Sequence, residues 1–352
     1  MPDSERIAQL RPSYQAELAR GTGRYFLPAR TDCPWCGGTR LRGKFRTTDL
    51  IQGKPGEFVL DQCRDCGHIF QNPRLSQQGL DFYYRDFYDG LGAETTAKMF
   101  EGNGSKKRFR RSARALRRVA LPRRWLDVGT SLGHFCATAK EVLPDTDFDG
   151  LDMSEGVERA AKEGRVQEAY RGLFVDLADD MAGRYDAVSM FHYLEHTLDP
   201  HRELAAAHTA LKPGGHLLIE VPDPESLSGR LLGRLWLPWF QPQHLNMVPM
   251  GNLCRRLREL GFTIEVAERR DAHIPADLVC ATWFLFDRLL PRDDAPWRPR
   301  RPGRAARALR LALVWAALPV LIAVYVLDQL ISPLARRTRF SNAYRVIARR
   351  DG

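Results

Sequence analysis

The chain has 352 residues, 44% of them hydrophobic, with 53 Lys and Arg against 43 Asp and Glu, a formal net charge of +10. That length suits one large or two modest domains and excludes a chain too short or too polar to bury a core. The basic excess, mostly arginine, suits an anionic partner such as nucleic acid, a membrane surface or a phosphorylated substrate; plain coding bias toward Arg and Ala explains it equally well.

The chain opens on "MPDSERIAQL", polar and acidic, without the apolar core of a signal peptide, so secretion is not expected. Residues 1–29 read as a helical or flexible segment. Seven cysteines follow, four of them in paired Cys-x-x-Cys units, which fits a reducing compartment better than a disulfide framework. "CPWCGG" carries Cys33 and Cys36, and "CRDCGH" carries Cys63 and Cys66. A two-residue gap lets both thiolates of a turn face one tetrahedral ion, and the following glycine lets the chain curl beneath the sulfurs. The 26 residues between the pairs, with Gly-Lys-Pro-Gly near the centre, can hold a β-hairpin. Residues 30–75 therefore read as a small zinc ribbon with a structural site closed by the four cysteines, and His68 as a non-ligand. A redox dithiol or a disulfide pair explains the doubled pattern poorly.

Residues 76–122 read as a linker and a basic helical region. "KKRFRRSARALRRVALPRR" places ten basic residues between 106 and 124. Phe109, Ala113, Leu116 and Ala120 fall on one helix face, and Lys107, Arg111, Arg114 and Arg118 on another. That second face is either an ordinary solvated surface or a contact for phosphates or anionic lipid.

From about residue 123 strands and helices alternate. "RWLDVGT", "DFDGLDMS", "YDAVSMFHYLEH" and "HLLIEVPD" read as strands; "GHFCATAKEVL", "EGVERAAKEG" and "DPHRELAAAHTALKPGG" read as helices. Such alternation predicts a parallel, doubly wound sheet over residues 123–271, with ligands at the carboxyl ends of its strands. "WLDVGTSLGHF" is a strand that ends in an acid and runs through Gly129 and Gly133 into a helix; Asp152 lies 25 residues after Asp127, at the end of the next strand. Loop, helix N-terminus and second acid together suit a nucleoside-bearing ligand, because a carboxylate there reaches a ribose diol. On spacing alone a dinucleotide site fits as well.

Residues 272–341 form an apolar, helical insertion, and residues 342–352 read as the final strand. The insertion holds "ADLVCATWFLFDRLL", an Arg- and Pro-rich joint, and "LALVWAALPVLIAVYVL" over 311–327, 17 uncharged residues at the lower limit for a membrane span. Strands on either side of it should pair in one sheet, which argues against a single span. A helical hairpin meeting the membrane surface through residues 276–335 is expected, with a soluble lid or dimer face as the alternative.

These residues resemble the class I S-adenosylmethionine-dependent methyltransferases. "LDVGTSLGHF" is similar to their first motif, "GLDMS" to the acid of their second strand, and "FHYLEHTLDP…LKPGGHLLIEVP" to their fourth and fifth strands. The resemblance extends to a subgroup with "LEH", "HLNM" and "LRELGF", in which a two-CxxC module precedes the transferase and a stretch like "NPR…FYYRDFY" follows it. It implies an α/β fold: a doubly wound, Rossmann-like seven-stranded sheet with a small N-terminal zinc ribbon and a helical insertion before the last strand. It implies S-adenosyl-L-methionine as cofactor. Asp127, Gly129, Ser131 (in place of the usual middle glycine) and Gly133 would line its methionine part. Asp152 would hold the ribose, Met153 would pack on adenine, and Phe191 and His192 would close over the sulfonium. Zn2+ would be structural, on Cys33, Cys36, Cys63 and Cys66.

Methyl transfer from a sulfonium needs alignment and exclusion of water more than acid catalysis; a base helps when the acceptor is a hydroxyl or carbon acid. His196, His244 and His192 are the catalytic candidates, with Glu195 behind them. "GRLLGRLWLPWFQPQHLNM" (229–247), aromatic and proline-broken, would wall the acceptor pocket. The expected acceptor is a small molecule: a sugar, a glycan, or a quinone- or lipid-like compound. The expected location is cytoplasmic, peripheral at the inner face of the membrane. An RNA methyltransferase using the zinc module and the basic helix, and a non-catalytic binding protein that keeps the fold, are the alternatives.

Overall fold

A computed structural model describes residues 4–86 and 103–352. The chain opens with helix α1 (Ser4–Leu18), followed by β1 (Leu41–Thr47), β2 (Phe58–Cys63), β3 (Ile69–Gln71) and α2 (Gln77–Tyr84). β1 and β2 pair antiparallel between the two Cys-x-x-Cys turns, and β3 pairs with β2. The expected linker includes residues 87–102, which lie outside the described residues. The basic helix α3 (Asn103–Arg117) leads into the alternating part: β4 (Arg124–Val128), α4 (His134–Lys140), β5 (Asp147–Asp152), α5 (Gly156–Lys162), β6 (Ala169–Arg171), α6 (Phe174–Leu177), β7 (Tyr185–Phe191), α7 (Pro200–Ala210) and β8 (Leu211–Pro222). Then come α8 (Leu227–Leu232), β9 (Asn246–Met247), α9 (Met250–Glu259), β10 (Phe262–Glu268), α10 (Asp277–Asp287), α11 (Arg304–Ala335) and β11 (Ala343–Arg350).

The large sheet has seven strands in the order β10-β11-β8-β7-β4-β5-β6, parallel except for β11, which runs antiparallel to β8 and β10. Its central strands are buried on both faces, which is why their sequences are nearly continuous apolar runs. One hydrophobic cluster gathers around Val128, Val188, Ile219 and Tyr344, the other around Trp125, Phe135, Ala187 and Ile347. The "LKPGG" segment, expected to close a helix, instead opens β8. Leu211 already pairs with Tyr185, and Gly214 turns at φ +77° before the strand proper begins at His216.

The basic helix is less solvated than its composition suggests. Phe109, Ala113 and Leu116 are buried as the apolar face, but the helix stops at Arg117, so Ala120 lies beyond it. Arg108 turns inward to Glu220, which is itself fully buried and held by Arg345 Nε at 2.7 Å and Ser112 Oγ at 2.7 Å. Each buried charge here has a partner, as burial requires.

The small sheet has the order β1-β2-β3-β9, so the "HLNM" strand is added to the N-terminal module. Gln71 Nε2 donates to Gln241 Oε1 at 2.7 Å, and Asn252 Nδ2 donates to the Cys66 carbonyl at 2.8 Å. The module and the large sheet's connections are therefore built into one another.

α10 and α11 form an antiparallel hairpin. Asp328 is buried and accepts the first amides of α10, from Leu278 and Val279. Asp287 at the other end of α10 pairs with Arg310 at 2.6 Å. α11 is 32 residues, about 48 Å long. It is long and apolar enough to cross a membrane, yet only 6% of its most apolar window is buried. Both of its ends are tied to the same folded body. On one side, Ala295 and Trp297 of the preceding joint pack with Tyr14, Tyr25 and Phe58, and Trp297 Nε1 donates to the Gln52 carbonyl at 3.1 Å. On the other, the chain passes directly into β11.

Candidate functional site

The site forms where β4, β5 and β7 end. After Val128 the chain turns through Gly129 to Gly133 into α4, with φ +76° at Gly129, +50° at Ser131 and +70° at Gly133. A Cβ on Gly129 would stand 2.8 Å from the Tyr193 ring, so this position needs glycine both for its backbone and for that approach. A Cβ on Gly133 would press on Ala160 and Arg165, at 3.0 and 3.1 Å; glycine there lets α4 start close against α5. The amides of Gly129 and Thr130 both donate to the Leu151 carbonyl, tying the loop to β5.

Asp152 completes that tie. Its Oδ2 accepts the Ser131 amide at 2.9 Å and its Oδ1 the Ser154 amide at 2.8 Å. Each oxygen keeps a lone pair, so the carboxylate is fixed in orientation and still able to accept from a diol. Met153 beside it is 61% exposed, an open apolar surface next to an acid.

Two of the residues expected at the cofactor are packed into the fold. Asp127 does not face the open side of the loop. It is buried beneath it, where Oδ1 accepts from Ser189 Oγ at 2.6 Å and Oδ2 faces Cys136 Sγ at 3.9 Å. Burial pushes its carboxyl up to about 7, against the lowering effect of the Ser189 and Thr130 hydroxyls, and the Asp152 charge raises it further. Asp127 therefore props the loop from below. Phe191, half-buried, packs on Phe135 beside α4, ring centroids 4.4 Å apart.

A second group lies beyond β7. His192 leaves the strand at φ +50°, its amide donating to the Glu220 carbonyl, and Leu194–His196 form a single 3-10 turn. Glu195 is nearly fully buried, with Oε1 3.1 Å from His192 Nδ1 and 3.9 Å from His244 Nε2. Burial opposes its charge, but the hydrogen bond from His192 works against burial and holds its carboxyl below the usual carboxylate range. The His244 ring packs edge-on against His196 at 4.5 Å, and its Nδ1 lies 2.7 Å from the Pro238 carbonyl, which fixes the Nδ1–H tautomer. Burial pushes His244 down to about 3, so it is neutral. The Leu245 amide donates to the Glu195 carbonyl and Asn246 Nδ2 to the Thr197 carbonyl, binding the "LEH" turn to the "HLN" strand.

The structure thus brings His192, His196 and His244 together around Glu195. It adds Tyr84, whose hydroxyl lies 2.8 Å from His196 Nδ1, and to which the sequence assigned no role. Tyr84 sits within "FYYRDFY", so the stretch was visible, but nothing in its composition said which tyrosine points inward.

The four module cysteines converge, their sulfurs within 4.8 Å of one another. Cys33–Cys66 and Cys36–Cys63 are each 3.7 Å apart. A tetrahedral ion with bonds of about 2.3 Å requires sulfur separations of about 3.8 Å, so the set fits zinc. The two turns repeat in detail: the Gly37 amide donates to the Cys33 carbonyl and the Gly67 amide to the Cys63 carbonyl, with both glycines at positive φ. His68 Nδ1 lies 3.7 Å from Cys33 Sγ, beside the thiolate cluster.

Residues 105–266 match the family model for a methyltransferase domain. The ubiquinone biosynthesis O-methyltransferase of Alkalilimnicola ehrlichii is 33% identical over 136 residues, 37% of this chain and 51% of that protein. The malonyl-[acyl-carrier protein] O-methyltransferase of Alcanivorax borkumensis is 28% identical over 126 residues, 35% and 42% of the two chains. The chain spans about half the length of the curated relatives it matches. A crystal structure of an S-adenosylmethionine-dependent methyltransferase from Archaeoglobus fulgidus aligns over 73% of this chain and 99% of its own, with 19% identity and a TM-score of 0.44. Over residues 105–266, a little under half of the chain, the likeness is to a methyltransferase domain.

Proposed function

We propose that the chain transfers a methyl group from S-adenosylmethionine to a small-molecule acceptor. The observation that carries this reading is the pinning of Asp152 to the glycine loop, next to a buried Glu–His cluster at the end of the neighbouring strand. S-adenosylmethionine supplies an electrophilic methyl group on a good leaving group. Asp152 would hold its ribose, Gly129 and Ser131 would border it, and Met153 would cover one face of its base. Tyr193 lies over Gly129, close enough that a Cβ there would meet its ring. The Glu195, His196, His244 and Tyr84 group would meet the acceptor and orient its nucleophilic atom, with the 229–247 segment as wall.

A sugar, quinone-like or lipid-like acceptor suits this cluster better than RNA. Three arginines of α3 are engaged within the fold: Arg108 with Glu220, Arg110 with Glu141 and Arg111 with Asp271. Zinc on Cys33, Cys36, Cys63 and Cys66 would close its own coordination sphere and hold the module, doing no chemistry. α11 suggests where the enzyme works. Trp315, Ile322, Tyr325, Leu330 and Leu334 are exposed, and Arg304, Arg307 and Arg310 at one end face Arg336, Arg337 and Arg339 at the other. With both ends anchored to one body, the helix would lie in the plane of an anionic membrane surface, on the cytoplasmic side, rather than cross it.

A methyl-labelled screen of sugar nucleotides, catechol-type quinone precursors and total RNA tests the reading. Label should enter a small molecule; incorporation into RNA alone would overturn the choice of acceptor. Co-sedimentation with phosphatidylglycerol vesicles tests α11. Binding that weakens with salt is expected, and a stable dimer without vesicle binding would contradict it.

A further inference from the structure

We propose that Glu195, His196 and His244 form a second metal site, for a divalent cation of the zinc, manganese or cobalt class, separate from the four cysteines. Two imidazoles and one carboxylate are a ligand set that such borderline cations favour, with open positions left for other oxygens. One ligand atom from each residue lies within 4.8 Å of the others, so closing on an ion with bonds of about 2.1 Å asks for side-chain shifts on the order of 1 Å.

The surroundings of each ligand support the assignment independently. Metal-bound histidines and carboxylates are normally oriented by a hydrogen bond on the atom that does not ligate. Here all three have such a partner: Pro238 carbonyl on His244 Nδ1 at 2.7 Å, the Tyr84 hydroxyl on His196 Nδ1 at 2.8 Å, and His192 Nδ1 on Glu195 Oε1 at 3.1 Å. That leaves Glu195 Oε2 without a partner and His244 Nε2 with only Glu195 Oε1 at 3.9 Å. Glu195 Oε2 is buried with no hydrogen-bond partner among the described residues, and so are both ends of the Gln243 amide, next to His244 in the chain. Buried carboxylate oxygens are rarely left so, because the lost hydration is costly. A cation answers the first orphan directly, and its bound water or substrate oxygen can answer the others.

The chain folds this way for local reasons. The 3-10 turn after His192 turns Glu195 inward beside His196, and the β3–β9 pairing carries His244 to them from 48 residues further on. The site lies beside the loop proposed to hold the methyl donor. Resting on that reading, the open positions would take an acceptor with two neighbouring oxygens, such as a vicinal diol, a catechol or a keto-enol, and hold one of them for methylation.

Cobalt titration of the purified full-length chain tests this, with bound metal counted by mass spectrometry and the site type read from the absorption spectrum. Two equivalents are expected. One should show the intense thiolate-to-cobalt charge-transfer band of the cysteines; the other should show only the weak bands of nitrogen and oxygen ligands. Glu195→Gln and His244→Ala should each lose the second equivalent and keep the first. A wild-type chain that takes up one thiolate-type equivalent alone overturns the proposal, whatever the variants do. So does a second equivalent that survives both substitutions. Calorimetry with S-adenosylmethionine separates the two readings. A chain that binds it but takes no second cobalt loses the metal site only; a chain that takes the second cobalt but binds no S-adenosylmethionine loses the transferase reading only.

Discussion

The glycine loop with Asp152 and the Glu195 cluster differ in how they are assembled. The first is contiguous: residues 127–133 and Asp152 belong to adjacent strands, and the loop is tied to β5 by the Leu151 carbonyl and the Asp152 carboxylate. The second draws Tyr84 from α2, Glu195 and His196 from the β7 exit, and His244 from the segment just before β9, which belongs to the cysteine module's sheet. A contiguous site depends on its own turn. An assembled site depends on every element that brings a piece to it, including a module far away in sequence.

The comparison predicts that the two sites fail separately. The largest effect is expected from Cys63→Ser, which opens the four-sulfur set next to β2 and β3. Methyl-transfer activity should fall below detection while S-adenosylmethionine affinity changes by less than about threefold, since β4 and β5 belong to the other sheet. Equal loss of both would show that the sites are not independent.

The next largest effect concerns Asp127. Its carboxyl sits at about 7 in the fold, raised by burial, against about 4 in an unfolded chain. A raised folded value means the folded state keeps its proton longer, so Asp127 supports stability fully below about pH 4 and progressively less as pH rises to about 7. The full difference is on the order of 4 kcal/mol. Asp127→Asn removes that dependence; its stability relative to wild type should climb between pH 4 and 7 and level off above. Urea unfolding of both proteins across that range measures it, and parallel curves would contradict it.

Gly129→Ala should cost about 1–3 kcal/mol, from the positive φ and the Tyr193 contact together. It should weaken S-adenosylmethionine binding and leave cobalt uptake at two equivalents. The smallest effect is expected at the hairpin. Asp328→Asn weakens the cap on α10 by about 1 kcal/mol, seen as faster amide exchange of Leu278 and Val279, with no change at either site.

How much of this the sequence disclosed follows the same division. The strand–helix alternation, Asp152 and the paired cysteines were readable because each is a local pattern with a fixed period or spacing. The identity of the final strand was readable too, since "NAYRVIARR" has the apolar run of a buried strand. The burial of Asp127 was not readable, because a strand-ending acid can face either side of the loop and the Ser189 hydroxyl on the neighbouring strand decides which. Nor was the packing of Phe191 against Phe135 on α4. Tyr84 and the joining of "HLNM" to the cysteine module were not readable at all, because strand pairing between distant segments leaves no periodic trace. The hairpin was recognised as apolar, but its anchoring through Trp297 to α1 and the module depends on contacts across more than 200 residues.

The most direct measurement is calorimetric titration of the purified, zinc-loaded chain with S-adenosylmethionine, beside Asp152→Ala. Micromolar binding that falls at least about tenfold in the variant, the loss expected for a charged hydrogen-bonding partner of the ribose, is the predicted result. Equal binding by both proteins, or none by the wild type, would contradict the account.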